Sequence, residues 1–282
     1  QAILSSLYSR NWPAASRPAG SAENGDGSTD MNTNNVRAAW REGKAVASAW
    51  LHIPTAYTAE ICAGAGFDVI TIDMQHGPVD YQSAVDMMIA MQGSGVTPFV
   101  RVPWNEPTMV QRVLDGGAQG IICPMVNNRA ECERFVGACK YPPLGFRSNG
   151  AYRAVRVYGS DYMSGANDFV IAMAMVETRE AFEKLDEILD TPGLDAIFVG
   201  PSDLSISMYG FASADHTTAP MLGHIEEIAR KAKARGIPAG LYTLAPAYAR
   251  RAIGMGYQFV TCAGDDGLLA AAFKAAATAI KG

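Results

Sequence analysis

From Val36 onward, short apolar runs rich in β-branched residues alternate with stretches whose apolar positions recur at helical spacing. The runs predict eight strands: Ala45–Leu51, Val69–Asp73, Pro98–Val102, Gly120–Pro124, Phe169–Val176, Ala196–Val199, Pro238–Leu241 and Phe259–Cys262. Helical stretches follow them over Ala56–Ala65, Tyr81–Gln92, Pro107–Asp115, Arg129–Ala138, Arg179–Leu189, Met221–Ala234, Pro246–Met255 and Asp266–Ile280. Glycines such as Gly66, Gly93 and Gly256 stop several of these helices, as a left-handed cap does before the next strand. Eight such units over about 245 residues predict an α/β fold, a (β/α)8 barrel of the TIM type. An open doubly wound sheet would carry a glycine-rich phosphate loop after its first strand. Here that strand runs into Leu51-His52-Ile53-Pro54-Thr55.

Residues 13–35 have no periodicity and few large apolar side chains, so residues 1–35 read as a largely flexible extension ahead of a single catalytic domain, 36–282. Ile3, Leu4, Leu7 and Tyr8 suggest a short docking helix within it. With 49% hydrophobic and 18% charged residues the chain can bury a large core. The net charge of −5 comes without a Lys/Arg stripe, which argues against nucleic acid as a partner. No apolar run is long enough to span a membrane, and residues 1–34 hold no secretory signal, so a soluble protein is expected. Five cysteines without a C-x-x-C pair fit a reducing cytoplasm.

In a barrel, chemistry sits where polar residues interrupt a strand at its C-terminal end. Four ends qualify. His76 follows the second strand by three residues, ahead of Gly77-Pro78, and suits acid/base work; capping a helix is the alternative. Arg101 ends the third strand among core residues and needs an anion, either a substrate or an internal carboxylate. Glu177 and Asp203 follow the fifth and sixth strands, one unit apart, and would present two carboxylates to one point. Two anions there call for a proton or a divalent cation such as Mg²⁺ or Mn²⁺ between them. The alternatives are a Glu177–Arg179 pair and Asp203 as a helix cap.

None of the seven lysines lies within a strand or at a strand's C-terminal end, so a Schiff-base aldolase is excluded. No P-loop, G-x-S-x-G or H-E-x-x-H occurs. A phosphoenolpyruvate or CoA-ester enzyme would need more cations than Arg101 at the strand ends.

Six linked segments carry a family resemblance: Gly66-Phe67-Asp68 with Ile72-Asp73-Met74-Gln75-His76-Gly77-Pro78, Val100-Arg101-Val102-Pro103, Leu114-Asp115-Gly116-Gly117-Ala118, Tyr141-Pro142-Pro143-Leu144-Gly145-Phe146-Arg147, Val176-Glu177-Thr178 and Gly200-Pro201-Ser202-Asp203-Leu204-Ser205. In order and spacing, from Arg41 to the C-terminus, they resemble the HpcH/HpaI family of metal-dependent class II pyruvate aldolases.

The resemblance implies a barrel whose last helix is exchanged between subunits, in a homo-oligomer that is usually a hexamer. It implies Mg²⁺, Mn²⁺ or Co²⁺ on Glu177 and Asp203, chelated in turn by a 2-oxo acid such as pyruvate or oxaloacetate, and no organic cofactor. His76 matches the general base, oriented by Asp115 of the same or a neighbouring subunit; Asp73 supports the His loop. Arg101 matches the residue that steadies the enolate oxygen, and Gly200, Pro201, Ser202 and Asp203 the segment that binds the substrate carboxylate. The implied function is a carbon–carbon lyase or synthase. It would form a pyruvate enolate by decarboxylating oxaloacetate or cleaving a 4-hydroxy-2-oxo acid, then add it to an electrophilic acceptor. One fungal branch of the family adds it to a 2-pyrone and so makes a benzoate. A non-catalytic barrel that binds a 2-oxo acid is the alternative from another class. Two positions depart from the family pattern: Gln75 stands where many members have Glu, and Met175 where many have Gln.

Overall fold

A computed structural model describes residues 34–282. The extension and its short docking helix therefore fall, for residues 1–33, outside the described residues. Eight parallel strands close into a barrel in chain order: β1 (Val46–Leu51), β2 (Val69–Asp73), β3 (Thr97–Arg101), β4 (Gly120–Cys123), β5 (Ile171–Val176), β6 (Ala196–Val199), β7 (Ala239–Leu241) and β8 (Phe259–Gly264). The ring closes where Val46 of β1 registers with Phe259 of β8. The predicted (β/α)8 barrel is the observed fold.

The strands are apolar along nearly their whole length because both faces are covered. One face, with Ile70, Ile72, Val100, Ile121 and Ile197, packs on the helices. The other fills the barrel with Trp50, Phe99, Ile122, Met173, Met175, Phe198 and Phe259. The rings need room that glycine supplies: a side chain on Gly120 would overlap Phe99.

The helices are α1 (Asn35–Arg41), α2 (Ala56–Ala63), α3 (Tyr81–Ala90), α4 (Pro107–Asp115), α5 (Arg129–Cys139), α6 (Tyr152–Tyr158), α7 (Tyr162–Phe169), α8 (Arg179–Glu183), α9 (Leu185–Leu189), α10 (Pro201–Tyr209), α11 (Met221–Ala234), α12 (Pro246–Gly254) and α13 (Asp265–Lys281). Past β4 they depart from the sequence reading in three places. The segment before β5 folds into α6 and α7, so Phe169 ends a helix and does not open the strand. The Gly200–Ser205 segment is the head of α10. The helix expected over Arg179–Leu189 breaks at Lys184, whose backbone leaves helical geometry.

The α1 helix begins at Asn35 with Asn34 as its cap, inside the stretch read as extension. It covers the N-terminal mouth: Val36 joins the barrel interior, Asn34 Nδ2 donates to the Phe169 carbonyl (2.9 Å), and Arg37 pairs with Asp195 (2.6 Å). The buried Lys140 sits at this same end and spends its ammonium on Asn167 O, Val170 O and Asp195 at 2.7–2.8 Å. It is thus remote from the opposite mouth, where strand ends carry the chemistry. At the other extreme, α13 has no buried residue, and Leu268, Leu269, Phe273 and Ile280 are exposed on it. Among the described residues, no helix is long and apolar enough to cross a membrane.

Candidate active site

Asp73 and Arg101 end neighbouring strands in register, so their side chains rise together at the C-terminal mouth. Arg101 forks onto the carboxylate, with Nε 2.8 Å from Oδ1 and Nη2 2.5 Å from Oδ2. The carboxylate is fully buried and takes more donors: Trp50 Nε1 (3.2 Å), the Gln75 backbone N–H (3.0 Å), the His76 backbone N–H (3.4 Å) and His52 Nε2 (3.0 Å). Burial opposes its charge, but the hydrogen bonds from His52 and Arg101 outweigh it and hold the carboxyl well below the usual carboxylate range. Arg101 thus has an internal partner, and its guanidinium also lies over Trp50, 4.8 Å from the ring centroid.

Above this pair opens a cavity of about 200 Å³. Trp50, His52, His76 and Arg101 line one side; Met175, Phe198, the segment Gly200–Asp203 and Tyr242 line the other. His76 stands exposed at the rim. Its loop turns through Gly77, where any side chain would collide with Asp73 O and the His52 backbone. Met175 gives the cavity an apolar surface. The Gln75 backbone N–H donates to Asp73, while its side-chain oxygen is buried with no hydrogen-bond partner among the described residues.

Glu177 follows β5 and is 1% exposed. Its Oε1 accepts the Met125 N–H at 2.7 Å, and a side chain on Gly200 would overlap its Oε2. Burial pushes the Glu177 carboxyl up to about 7; the Asp203 charge adds to this, and the Met125 bond and Arg101 oppose it. Asp203 lies in the first turn of α10, on the cavity wall. Among the described residues neither alternative role for these acids is seen: Arg179 donates to the Met208 carbonyl, and Asp203 makes no capping hydrogen bond. Two carboxylates near enough for the charge of Asp203 to raise Glu177, the latter with one oxygen free of protein donors among the described residues, fit a hard divalent cation.

A second group of ligand atoms comes together at His52, Asp265 and Asp266. These are already spent on one another and on backbone N–H groups, so they brace the mouth and do not rival the first pair as a cation site.

Asp115 is not brought to His76 within the chain. It ends α4 away from the cavity, with Oδ1 accepting from Arg147 Nη2 at 2.8 Å.

Residues 47–272 match the family of HpcH/HpaI aldolase/citrate lyase proteins. The chain belongs to the HpcH/HpaI aldolase/citrate lyase family. It is 39% identical over 241 residues to a hydroxypyruvate/pyruvate aldolase of Rhizorhabdus wittichii, spanning 86% of this chain and 96% of the relative. It is 35% identical over 260 residues to a 4-hydroxy-2-oxo-heptane-1,7-dioate aldolase of Escherichia coli, spanning 88% and 98%. Among solved structures, an HpcH/HpaI aldolase/citrate lyase family protein of Burkholderia cenocepacia superposes with a TM-score of 0.83 at 27% identity, over 89% of this chain and 100% of that one.

A second cavity histidine, His52, escaped the sequence reading, as did the aromatic lining of Trp50, Phe198 and Tyr242. His52 stands one residue past β1, as Glu177 does past β5, and the search for polar residues at strand ends finds it when applied there. The hydrogen bond to Asp73, followed by that to Asp266, pushes its imidazole up to about 9 against the opposing effect of burial.

Proposed function

We propose that the chain is a divalent-metal-dependent carbon–carbon lyase of 2-oxo acids. It would cleave a 4-hydroxy-2-oxo acid to pyruvate and an aldehyde, or decarboxylate oxaloacetate, and run the aldol step in reverse with an electrophilic acceptor. The observation that carries this is the buried Glu177 carboxylate, raised toward 7, beside Asp203 and within the field of Arg101. Glu177 and Asp203 would hold Mg²⁺, or Mn²⁺ or Co²⁺. Bound there, such an ion supplies Lewis-acid polarisation of a substrate keto oxygen.

The chain's own groups do the rest. Asp73 fixes Arg101 in one orientation, so positive charge is already in place where oxygen gains negative charge, and no reorganisation is needed at the moment of reaction. The His76 ring makes no hydrogen bond among the described residues and is free to exchange a proton with a substrate hydroxyl at the rim. The N–H groups of Ser202 and Asp203, in a helix turn without a side-chain cap, receive the substrate carboxylate. The names of the two relatives support this substrate class, with pyruvate or hydroxypyruvate as the nucleophilic partner.

We also propose a homo-oligomer, a hexamer by family likeness, in which α13 packs on a neighbouring copy. Its exposed Leu268, Leu269 and Phe273 support this. Asp115 would then serve a His76 across a subunit boundary.

The test is incubation with oxaloacetate and Mg²⁺, with and without chelator, in the presence of aldehydes or a 2-pyrone, with products followed by mass spectrometry. Chelator-sensitive release of pyruvate, restored by Mg²⁺, is expected. Turnover that survives chelation overturns the metal role. Calorimetric binding of 2-oxo acids without turnover identifies a non-catalytic barrel, and a benzoate product assigns the pyrone chemistry.

A further inference from the structure

Both ring nitrogens of His52 are taken by carboxylates from different elements. Nε2 lies 3.0 Å from Oδ2 of Asp73 at the end of β2, and Nδ1 lies 2.9 Å from Oδ1 of Asp266 in the first turn of α13. The backbone is pinned as well, because the N–H groups of His52 and Ile53 donate to the two oxygens of Asp265 at 2.8 and 3.2 Å. A side chain on Gly264 would overlap the imidazole. The ring thus has one available position.

We infer that His52 is a positioning residue that transmits the seating of α13 to Asp73 and, through Asp73, to Arg101. This rests on the reading of the cavity as a 2-oxo-acid site.

Oδ2 of Asp73 is shared between His52 Nε2 and Arg101 Nη2, so the imidazole opposes any rotation of the carboxylate that would carry the guanidinium away from the cavity. At its other end the ring meets a helix that buries no side chain of its own chain, and whose first turn provides both Asp265 and Asp266. The two contacts are unequal. Asp73 is fully buried, whereas the Asp266 side chain is 62% exposed and its pairing is weakened by solvent. Loss of the Asp266 contact therefore loosens the bridge, and loss of the imidazole removes it.

The charged and titratable groups around the ring are Asp73 from β2, Arg101 from β3, Tyr242 beyond β7, Asp265 and Asp266 from α13, and His76 from the rim loop. Hydrogen bonds to Asp73 and Asp266 keep the imidazole charged up to about pH 9. At neutral pH it donates from both nitrogens. Above about 9 one N–H must serve two carboxylates, and the bridge opens.

The experiment compares the full-length protein with its Asp266→Ala, His52→Leu and His52→Gln variants. It follows amide hydrogen exchange across residues 264–268 and Mg²⁺-dependent turnover of oxaloacetate from pH 6 to 10. We expect about tenfold faster exchange at the head of α13 in Asp266→Ala and His52→Leu. We expect kcat to fall about threefold in the first and tenfold or more in the second, with KM nearly unchanged. His52→Gln, which keeps one donor, should recover part of kcat and lose the fall in rate near pH 9. Unchanged exchange in both the Asp266→Ala and His52→Leu variants overturns the inference, as does wild-type kcat in His52→Leu. Lowered kcat without faster exchange in α13 also overturns it. An inactive wild-type protein would instead refute the lyase reading, with the exchange measurement still deciding whether the bridge exists.

Discussion

Oε2 of Glu177 stands where any side chain on Gly200 would have to be. The residue that opens α10 is therefore fixed as glycine by the acid that follows β5, and the cavity wall and the candidate cation site share one constraint. Gly200→Ala should turn Glu177 away from Asp203. Mg²⁺-dependent turnover should fall about 10–100-fold, as expected when the surroundings of a ligand are disturbed. Calorimetric Mg²⁺ affinity that matches the wild type would disprove the coupling.

The raised Glu177 carboxyl makes stability depend on both pH and metal. An unfolded glutamate releases its proton near its ordinary 4.5, whereas this one holds it to about 7. Across that window the folded state binds the extra proton, so stability from this group is lost as pH rises from 4.5 through 7. A divalent cation should reverse that loss. Mg²⁺ is expected to raise Tm by several degrees at pH 8 and by much less at pH 5.5. Calorimetric scans at the two pH values check this, and equal shifts would contradict it.

Asp73 and Arg101 form the buried charge pair of the mouth. Asp73→Asn leaves two cations, Arg101 and His52, facing a neutral amide, and should cost about 3–5 kcal/mol of folding stability in denaturant titration. Arg101→Lys keeps the charge but cannot fork onto both oxygens. Its turnover should drop about tenfold or more while its unfolding midpoint moves less than that of Asp73→Asn. The reverse order would mean that Arg101 is chiefly structural.

The exposed apolar residues of α13 give the proposed oligomer its test. Phe273→Asp, at a position exposed in the chain itself, should leave secondary structure intact by circular dichroism and reduce the assembly size in analytical ultracentrifugation. An unchanged sedimentation coefficient would remove α13 from the interface.

The strands were legible because each is a short apolar run between polar residues, and all eight observed strands overlap the predicted ones. The rest was hidden for physical reasons. Gly200-Pro201-Ser202 reads as a loop by its turn residues, yet proline suits a helix's first turn, and α10 starts there. Gly159, Ser160 and Asp161 punctuate the segment before β5, which masks two helices of seven and eight residues whose stability comes from packing Tyr158, Tyr162 and Phe169 together. In the site, a polar residue at a strand end identified His76, Arg101, Glu177 and Asp203 as cavity or near-cavity groups. It could not show that Arg101 is already paired, because the register of Asp73 with Arg101 appears only when β2 and β3 are set side by side. The bridge of His52 to Asp266 was equally invisible, since it joins residues 214 apart in the chain.

One consequence of α13 concerns how the protein responds to dilution. In the proposed oligomer, the body of a helix that contributes no side chain to its own core beyond its pinned first turn would draw its stability from the neighbour that receives it, so its ordering would follow mass action. Specific activity and melting temperature should then both climb with protein concentration, and a thinly expressed population would be intrinsically less competent than a crowded one.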